Sequence, residues 1–228
     1  LEGIMKKRSL TDRELAIIRG SLLGDMSMRC QGITPNLGVR HSFKDLPYMQ
    51  WLRQELPILF TIKPRTYTTI AWGKQHTLLA MDSRVHSDLL PIYELLYTEG
   101  KKIITKEYLC YLTPLSIAVW YMDDGCLYFN KNRHGKHYPY LMLSTHSFSK
   151  VENILIQDWF ASTFDIHWNI SREIRRERTL YRLQLGKGEE VRAFLKLIRP
   201  YVISHFHRKL EYTVCPSRPL CPNLRKDN

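Results

Sequence analysis

A chain of 228 residues with 44% hydrophobic content has material for one large or two small cores, which excludes a disordered chain. Thirty-four Lys and Arg against 22 Asp and Glu leave a net charge of +12, which suggests a polyanionic partner such as nucleic acid, although a basic organellar enzyme shows the same balance. No membrane partner is expected, because the apolar run 117–122 falls far below the roughly 18 residues of a bilayer span.

In chain order, Leu1-Glu2-Gly3 reads as a remnant ahead of Met5, and the start lacks the apolar core of a secretory signal, so localisation is unmarked. Thr11 with Glu14 three residues on is a capping box that opens a helix. Within the stretch from Ile18 to Met26, its helical run stops on Asp25. Gly20 and Gly24 lie four apart on one face beside Ser21, so a second helix can approach the backbone there. Leu37, Val39, His41 and Phe43 alternate as one strand face, with Arg40 and Lys44 in the opposite phase. An amphipathic helix is expected over 46–59. A hairpin follows, with strands 62–72 and 76–83 turning at Gly73 next to Lys74; Arg65, Tyr67 and Thr69 share one face, Ile70 and Trp72 the other. A helix over 85–97 closes this half, and residues 98–112 read as a linker carrying Lys101 and Lys102.

The second half opens on Thr113-Pro114, an N-cap with proline at the first helical position. The run Ile117-Ala118-Val119-Trp120-Tyr121-Met122 ends on Asp123-Asp124-Gly125. Tyr140, Met142 and Ser144 alternate, and His146-Ser147-Phe148 repeats His41-Ser42-Phe43. A helix over 151–164, a hairpin of 166–175 and 179–185 turning near Glu177, and a helix over 189–198 complete the repeat. Arg175, Arg176, Arg178, Arg182 and Lys187 crowd that hairpin, with Tyr181, Leu183 and Leu185 as its core set. The expectation is an α+β fold of two pseudo-symmetric αββαββα half-domains, 9–97 and 113–214, packed through their first helices, with 98–112 as linker and 215–228 as tail. The basic hairpins, one in each half, point to a bipartite saddle of antiparallel sheets on double-stranded DNA, most contacts going to phosphate.

Five cysteines without short paired spacing argue for reduced thiols in an intracellular setting. His205, His207, Cys215 and Cys221 are competent zinc ligands, but the histidines point to different sides of a helix and the prolines at 216, 219 and 222 mark an irregular tail, so no metal is expected there.

Asp25 and Asp124 lie 99 residues apart, each at the C-terminal end of its helix, where the macrodipole disfavours an anion by about 0.3–1 kcal/mol. Capping of the following turn explains either one alone. Two such helices crossing closely bring the carboxylates together, and the pair then calls for a shared proton or a divalent ion. All-oxygen ligation beside phosphates suits Mg²⁺, with Asp25 and Asp124 as ligands. Asp123 takes the register of Gly24 and is read as a neighbour. No histidine or glutamate is placed as a general base, which favours water activated by metal and solvent.

The two motifs, their separation and the duplicated element order resemble the single-chain LAGLIDADG homing endonucleases. The likeness is greatest to the mitochondrial omega-intron branch, through Leu112-Thr113-Pro114, Met122-Asp123-Asp124-Gly125 and Ile198-Arg199-Pro200-Tyr201. Met26, where the family often has glycine, and Val119, opposite Gly20 in register, depart from the pattern and leave the helix crossing free to be asymmetric. The resemblance implies an intron-encoded, monomeric DNA endonuclease with Mg²⁺, a long asymmetric target and an organellar host. It further implies paired basic residues beside the acids, Lys209 and Lys102, with Lys101 competing for the second role. A maturase that binds intron RNA on the same fold, its acids vestigial, is the rival reading; a silent DNA-binding regulator is a third.

Overall fold

The computed structural model describes residues 8–30, 32–71, 73–131, 135, 137–175 and 177–211. Trp72, Arg176, Cys215 and Cys221 lie outside the described residues. Helix α1 (Asp12–Leu23) starts as the sequence requires: Thr11 accepts from the Glu14 N–H, and the Glu14 carboxylate accepts from the Thr11 N–H at 2.8 Å. Arg8 adds two hydrogen bonds to the same carboxylate, each 2.7 Å. Together with the Thr11 bonds, and against the cost of burial, Arg8 draws the Glu14 pKa down to about 2. A carboxyl with a depressed pKa stabilises the fold above its unfolded value of 4.5, and that stabilisation is lost as pH falls towards 2. Glu14→Gln is therefore expected to lower the melting temperature at pH 7 and to flatten its decline between pH 4.5 and 2. Parallel acid-melting curves of the two proteins would refute this assignment.

Strands β1 (Met26–Cys30) and β2 (Pro35–Ser42) follow, then α2 (Leu46–Glu55), β3 (Arg65–Ala71), β4 (Lys74–Asp82) and α3 (Leu90–Leu96). The second motif helix is α5 (Pro114–Asp124), capped by Thr113 and Ser116 with Pro114 in the first turn. Beyond it come β7 (Gly125–Lys131), β8 (His137–Leu143), α6 (Lys150–Phe164), β9 (Asn169–Arg175), β10 (Arg178–Leu185) and α7 (Gly188–Ile198). The four strands before α3 form an antiparallel sheet in the order β1-β2-β4-β3, and the later four repeat it as β7-β8-β10-β9. This is the α+β arrangement with antiparallel sheets expected from the sequence. Leu37, Val39, Leu79 and Met81 of the first sheet bury against α2, and Leu141, Leu143, Leu183 and Leu185 of the second against α6 and α7, in one continuous core.

Three local expectations need correction. Residues 98–112 are more than a linker: β5 (Tyr97–Thr98) pairs with β6 (Lys101–Lys102), and Thr105 caps α4 (Lys106–Cys110), whose Tyr108 and Leu109 are buried. The turn between β5 and β6 takes positive φ at Glu99 and Gly100, the reversal that the glycine permits. The Tyr108 hydroxyl donates to the Arg19 carbonyl at 2.8 Å and the Ile104 N–H to Glu152 at 2.8 Å, so the connection is fastened to both repeats. The 85–97 helix begins only at Leu90, because the His86 ring accepts from the Asp88 N–H and holds a 3₁₀ turn, Ser87–Leu89, ahead of it. Similarly, Phe43 and Lys44 do not continue β2. Ser42 caps a 3₁₀ turn, Phe43–Asp45, which leaves Phe43 49% exposed where its counterpart Phe148 is buried.

Candidate active site and nucleic-acid interface

The motif helices meet where their side chains are smallest. A Cβ on Gly20 would stand 2.2 Å from the Ser116 carbonyl oxygen, and one on Gly24 would stand 2.5 Å from Asp123 Cβ. Glycine at both positions lets α1 and α5 cross almost backbone to backbone, which sets Asp25 and the Asp123-Asp124 pair at one end of the crossing. The packing is not symmetric: Asp123 fills the room that Gly24 leaves. Its buried carboxylate accepts from Ser21 Oγ and from the Asp25 N–H, both at 3.3 Å.

Burial and the neighbouring Asp25 push the Asp124 pKa up to about 7, with Lys209 and Lys102 opposing the rise. The Asp123 pKa is also raised well above the ordinary carboxylate range, mostly by burial, then by Asp25. Three carboxylates thus converge with too little positive charge, and the Asp25 side chain, 45% exposed, opens the cluster to solvent. Asp25 acts electrostatically on Asp124, and the group whose ligand atoms come together is Asp25, His41 and Asp123, within 4.8 Å of one another.

Lys102 and Lys209 reach the same crossing. Lys209 Nζ donates to the Met122 carbonyl at 2.6 Å and the Asp123 carbonyl at 3.3 Å; Lys102 Nζ donates to the Met26 carbonyl at 2.7 Å. Lys209 thus places positive charge on the last turn of α5, where the macrodipole is negative, and Lys102 places it on the first residue of β1, beyond the end of α1. Burial lowers both pKa values, and the aspartates partly restore them. Lys101 is exposed on the same short strand.

One residue enters the site without having been singled out for it. His41, on β2, is 6% exposed at the side chain; its Nδ1 lies 3.6 Å from Asp25 Oδ2 and its Nε2 lies 3.9 Å from Asp123 Oδ1. Tyr48 packs edge-on against its ring, centroids 5.0 Å apart. The only signal in the sequence was the His-Ser-Phe repeat, which marks the fold. The second copy goes elsewhere: His146 Nε2 lies 3.3 Å from Glu173 Oε2. His205 contacts Asp45 at 2.9 Å and His207 Nε2 the Val202 carbonyl at 3.2 Å.

The basic strand residues divide into free and committed groups. Lys44, Lys74, Arg178 and Lys187 are exposed, as is Tyr67, while Thr69 is half-buried. Arg40 and Arg65 share Asp82, at 2.9 and 2.6 Å, and Arg40 also donates to the Val39 and Met81 carbonyls. Arg175 is bonded to Glu173, and Arg182 lies 3.4 Å from the same carboxylate. Arg182 corrects the expectation of an open basic residue: it is buried, because Glu173 draws it down onto the sheet. Ile70 lies on the face opposite Arg65, Tyr67 and Thr69. It is 78% exposed, since the outer parts of β3 and β4 run past the helices and neither face is covered.

Crossed helices ending in aspartates, backed by two like antiparallel sheets, place the chain in the homing-endonuclease fold class. A model of the LAGLIDADG DNA endonuclease family matches residues 15–194, and the chain belongs to that family. Among solved structures, the homing endonuclease I-WcaI bound to its DNA recognition sequence is similar with a TM-score of 0.78 at 20% identity, over 93% of this chain and 96% of that one. LAGLIDADG meganuclease I-AabMI bound to uncleaved DNA gives 0.51 at 13%, over 88% of each. Relatives in sequence include protein RecA of Mycobacterium gastri, 31% identical over 54% of this chain and 28% of its own length. Cytochrome b mRNA maturase bI2 of Saccharomyces cerevisiae is 28% identical over 86% of this chain and 47% of its own length. That of Debaryomyces hansenii is 24% identical over 87% and 74%. The chain thus spans about a quarter of the RecA relative it matches. Among the described residues no helix is long and apolar enough to cross a membrane.

Proposed function

We propose that the chain is a site-specific double-strand DNA endonuclease of the intron-encoded homing type, acting as a monomer through Mg²⁺-dependent hydrolysis at a long, asymmetric target. The observation that carries this reading is the convergence of Asp25 and Asp124 at one end of the helix crossing, with Lys102 and Lys209 beside them. In this reading Asp25 and Asp124 would hold Mg²⁺, which would supply Lewis-acid polarisation of the scissile phosphate. Lys209 anchors the end of α5, Lys102 holds the start of β1 just beyond α1, and both would offer positive charge where the phosphorane develops it. Half-domains 9–97 and 113–214 each lay a sheet along one half of the target. Lys44, Lys74, Arg178 and Lys187 contact phosphate, and Arg40, Arg65 and Arg175, with Tyr67 and Thr69, address bases or nearby phosphates in the major groove, while Arg182 supports the sheet through Glu173. Arg176 belongs to this set by its position in sequence. The maturase relatives support a second reading, intron RNA binding, and an organellar origin.

A time course on a supercoiled plasmid carrying the target, with and without Mg²⁺, tests the proposal. Lys209→Ala and Lys102→Ala are each expected to slow cleavage by roughly 10²–10³. The two should differ, because Lys209 bridges two carbonyls of α5 and Lys102 only one beyond α1, so one variant should accumulate nicked circles ahead of linear product. Wild-type protein that leaves the plasmid supercoiled yet binds the intron RNA tightly would establish the maturase instead.

A further inference from the structure

Buried polar atoms without a hydrogen-bond partner gather at this end of the crossing: His41 Nε2 and Asp123 Oδ1 face each other 3.9 Å apart, and the Tyr48 hydroxyl, which acts electrostatically on the same carboxylate, is a third. One imidazole nitrogen and one oxygen from each of Asp25 and Asp123 lie within 4.8 Å of one another. We propose that Asp25, His41 and Asp123 form a second cation site, selective for a borderline divalent ion of the Zn²⁺ class, that shares Asp25 with the Asp25–Asp124 pair. This inference goes beyond the nuclease reading and holds whether or not the chain cuts DNA.

The donor set decides the class of ion. One imidazole and two carboxylates with a fourth position open is zinc-type coordination, whereas Mg²⁺ is a hard ion that prefers all-oxygen ligation and keeps its waters. Ligand distances near 2.0–2.2 Å demand donor separations of about 3–4 Å, and one ion takes one ring nitrogen, so with Nε2 and Asp123 as ligands Asp25 must move from its place beside Nδ1, 3.6 Å away, to the Nε2 side. Two of its three members are fixed: Tyr48 braces the His41 ring, and Asp123 is held by Ser21 and the Asp25 N–H. Asp25, on the solvent edge, supplies the movement and leaves the open position facing water. The charges around the imidazole are Asp25, Asp45 and Lys209, of which only the lysine disfavours a cation. Because Asp25 is common to both sites, Zn²⁺ on the inner one draws that carboxylate away from Asp124 and is expected to inhibit any Mg²⁺-dependent cleavage.

The test uses the full chain, free of DNA and stripped with chelator, titrated calorimetrically with Zn²⁺ and followed by visible absorbance with Co²⁺. One ion per chain is expected. His41→Gln and Asp123→Asn should each weaken binding by about tenfold or more, since the loss of even an outer-shell partner commonly costs 10–100-fold. Asp124→Asn should retain it. In case Asp123→Asn fails to fold, ¹⁵N-histidine NMR of the wild type reads the same site: Zn²⁺ should move the His41 ring and leave His205 and His207 in place. Binding lost in Asp124→Asn but kept in His41→Gln would put the ion on the paired acids and overturn the proposal. So would a response at His205 or His207, or no stoichiometric binding, which would leave the His41–Asp123 pair closed by a proton.

Discussion

Asparagine at position 25 or at position 124 is expected to abolish double-strand cleavage, with a rate loss of at least roughly 10³, while DNA affinity stays within a few-fold of wild type. Each carboxylate contributes half of the all-oxygen donor set, and neither side chain is needed to seat the basic sheets on phosphate. Asp124→Asn carries a second, opposite effect. Burial and Asp25 raise the Asp124 pKa from 3.8 to about 7, so the folded chain binds a proton more tightly than the unfolded one. Its ionisation therefore costs stability progressively as pH rises from about 4 to about 7. In chelator at pH 8 the variant should melt higher than wild type, and at pH 4 the difference should vanish. A plasmid assay and a pair of melting curves decide both halves. Full cleavage by both variants in Mg²⁺ would remove the acids from the mechanism, and a lower melting point for Asp124→Asn at pH 8 would contradict the electrostatic account.

The largest structural effect is expected at Gly20. A Cβ there would meet the Ser116 carbonyl oxygen at 2.2 Å, and that atom belongs to the backbone of a capped helix and cannot rotate aside. Gly20→Val should cost at least the upper end of the roughly 1–3 kcal/mol typical of overpacking, because the two helices that join the repeats must separate. Gly186→Ala is the control, since a Cβ at that position meets nothing within 4 Å. Urea unfolding followed by circular dichroism measures both. Equal midpoints for Gly20→Val and wild type would mean that the helices do not cross as described.

Most of the fold could be read from residue types because it is written locally. Thr11 with Glu14 and Thr113 with Pro114 fix where the motif helices begin, and alternation through Leu37 and Val39, or Leu183 and Leu185, fixes which strand faces are buried. Much of the candidate site was not local. His41 becomes a neighbour of Asp25 and Asp123 only when β2 is laid beside the crossing, and nothing in its own segment separates it from His146. Arg182 alternates like a solvent-facing residue, and its burial depends on Glu173 on the adjacent strand. Asp123 aligned with a glycine, a comparison that gives its register but not that its carboxylate would fill the space its counterpart leaves open.

That substitution of a carboxylate for a hydrogen atom, Asp123 against Gly24, makes the two repeats unlike partners. Joined to a copy of itself, the second repeat would press two buried acids into one space, and the first would leave a gap between two glycines. Matched to each other, knob and hole close. Two fragments severed within the 98–112 connection would accordingly be expected to find one another in preference to their own kind. Each repeat can then diverge along its sheet without loss of pairing, because the crossing alone carries the partnership.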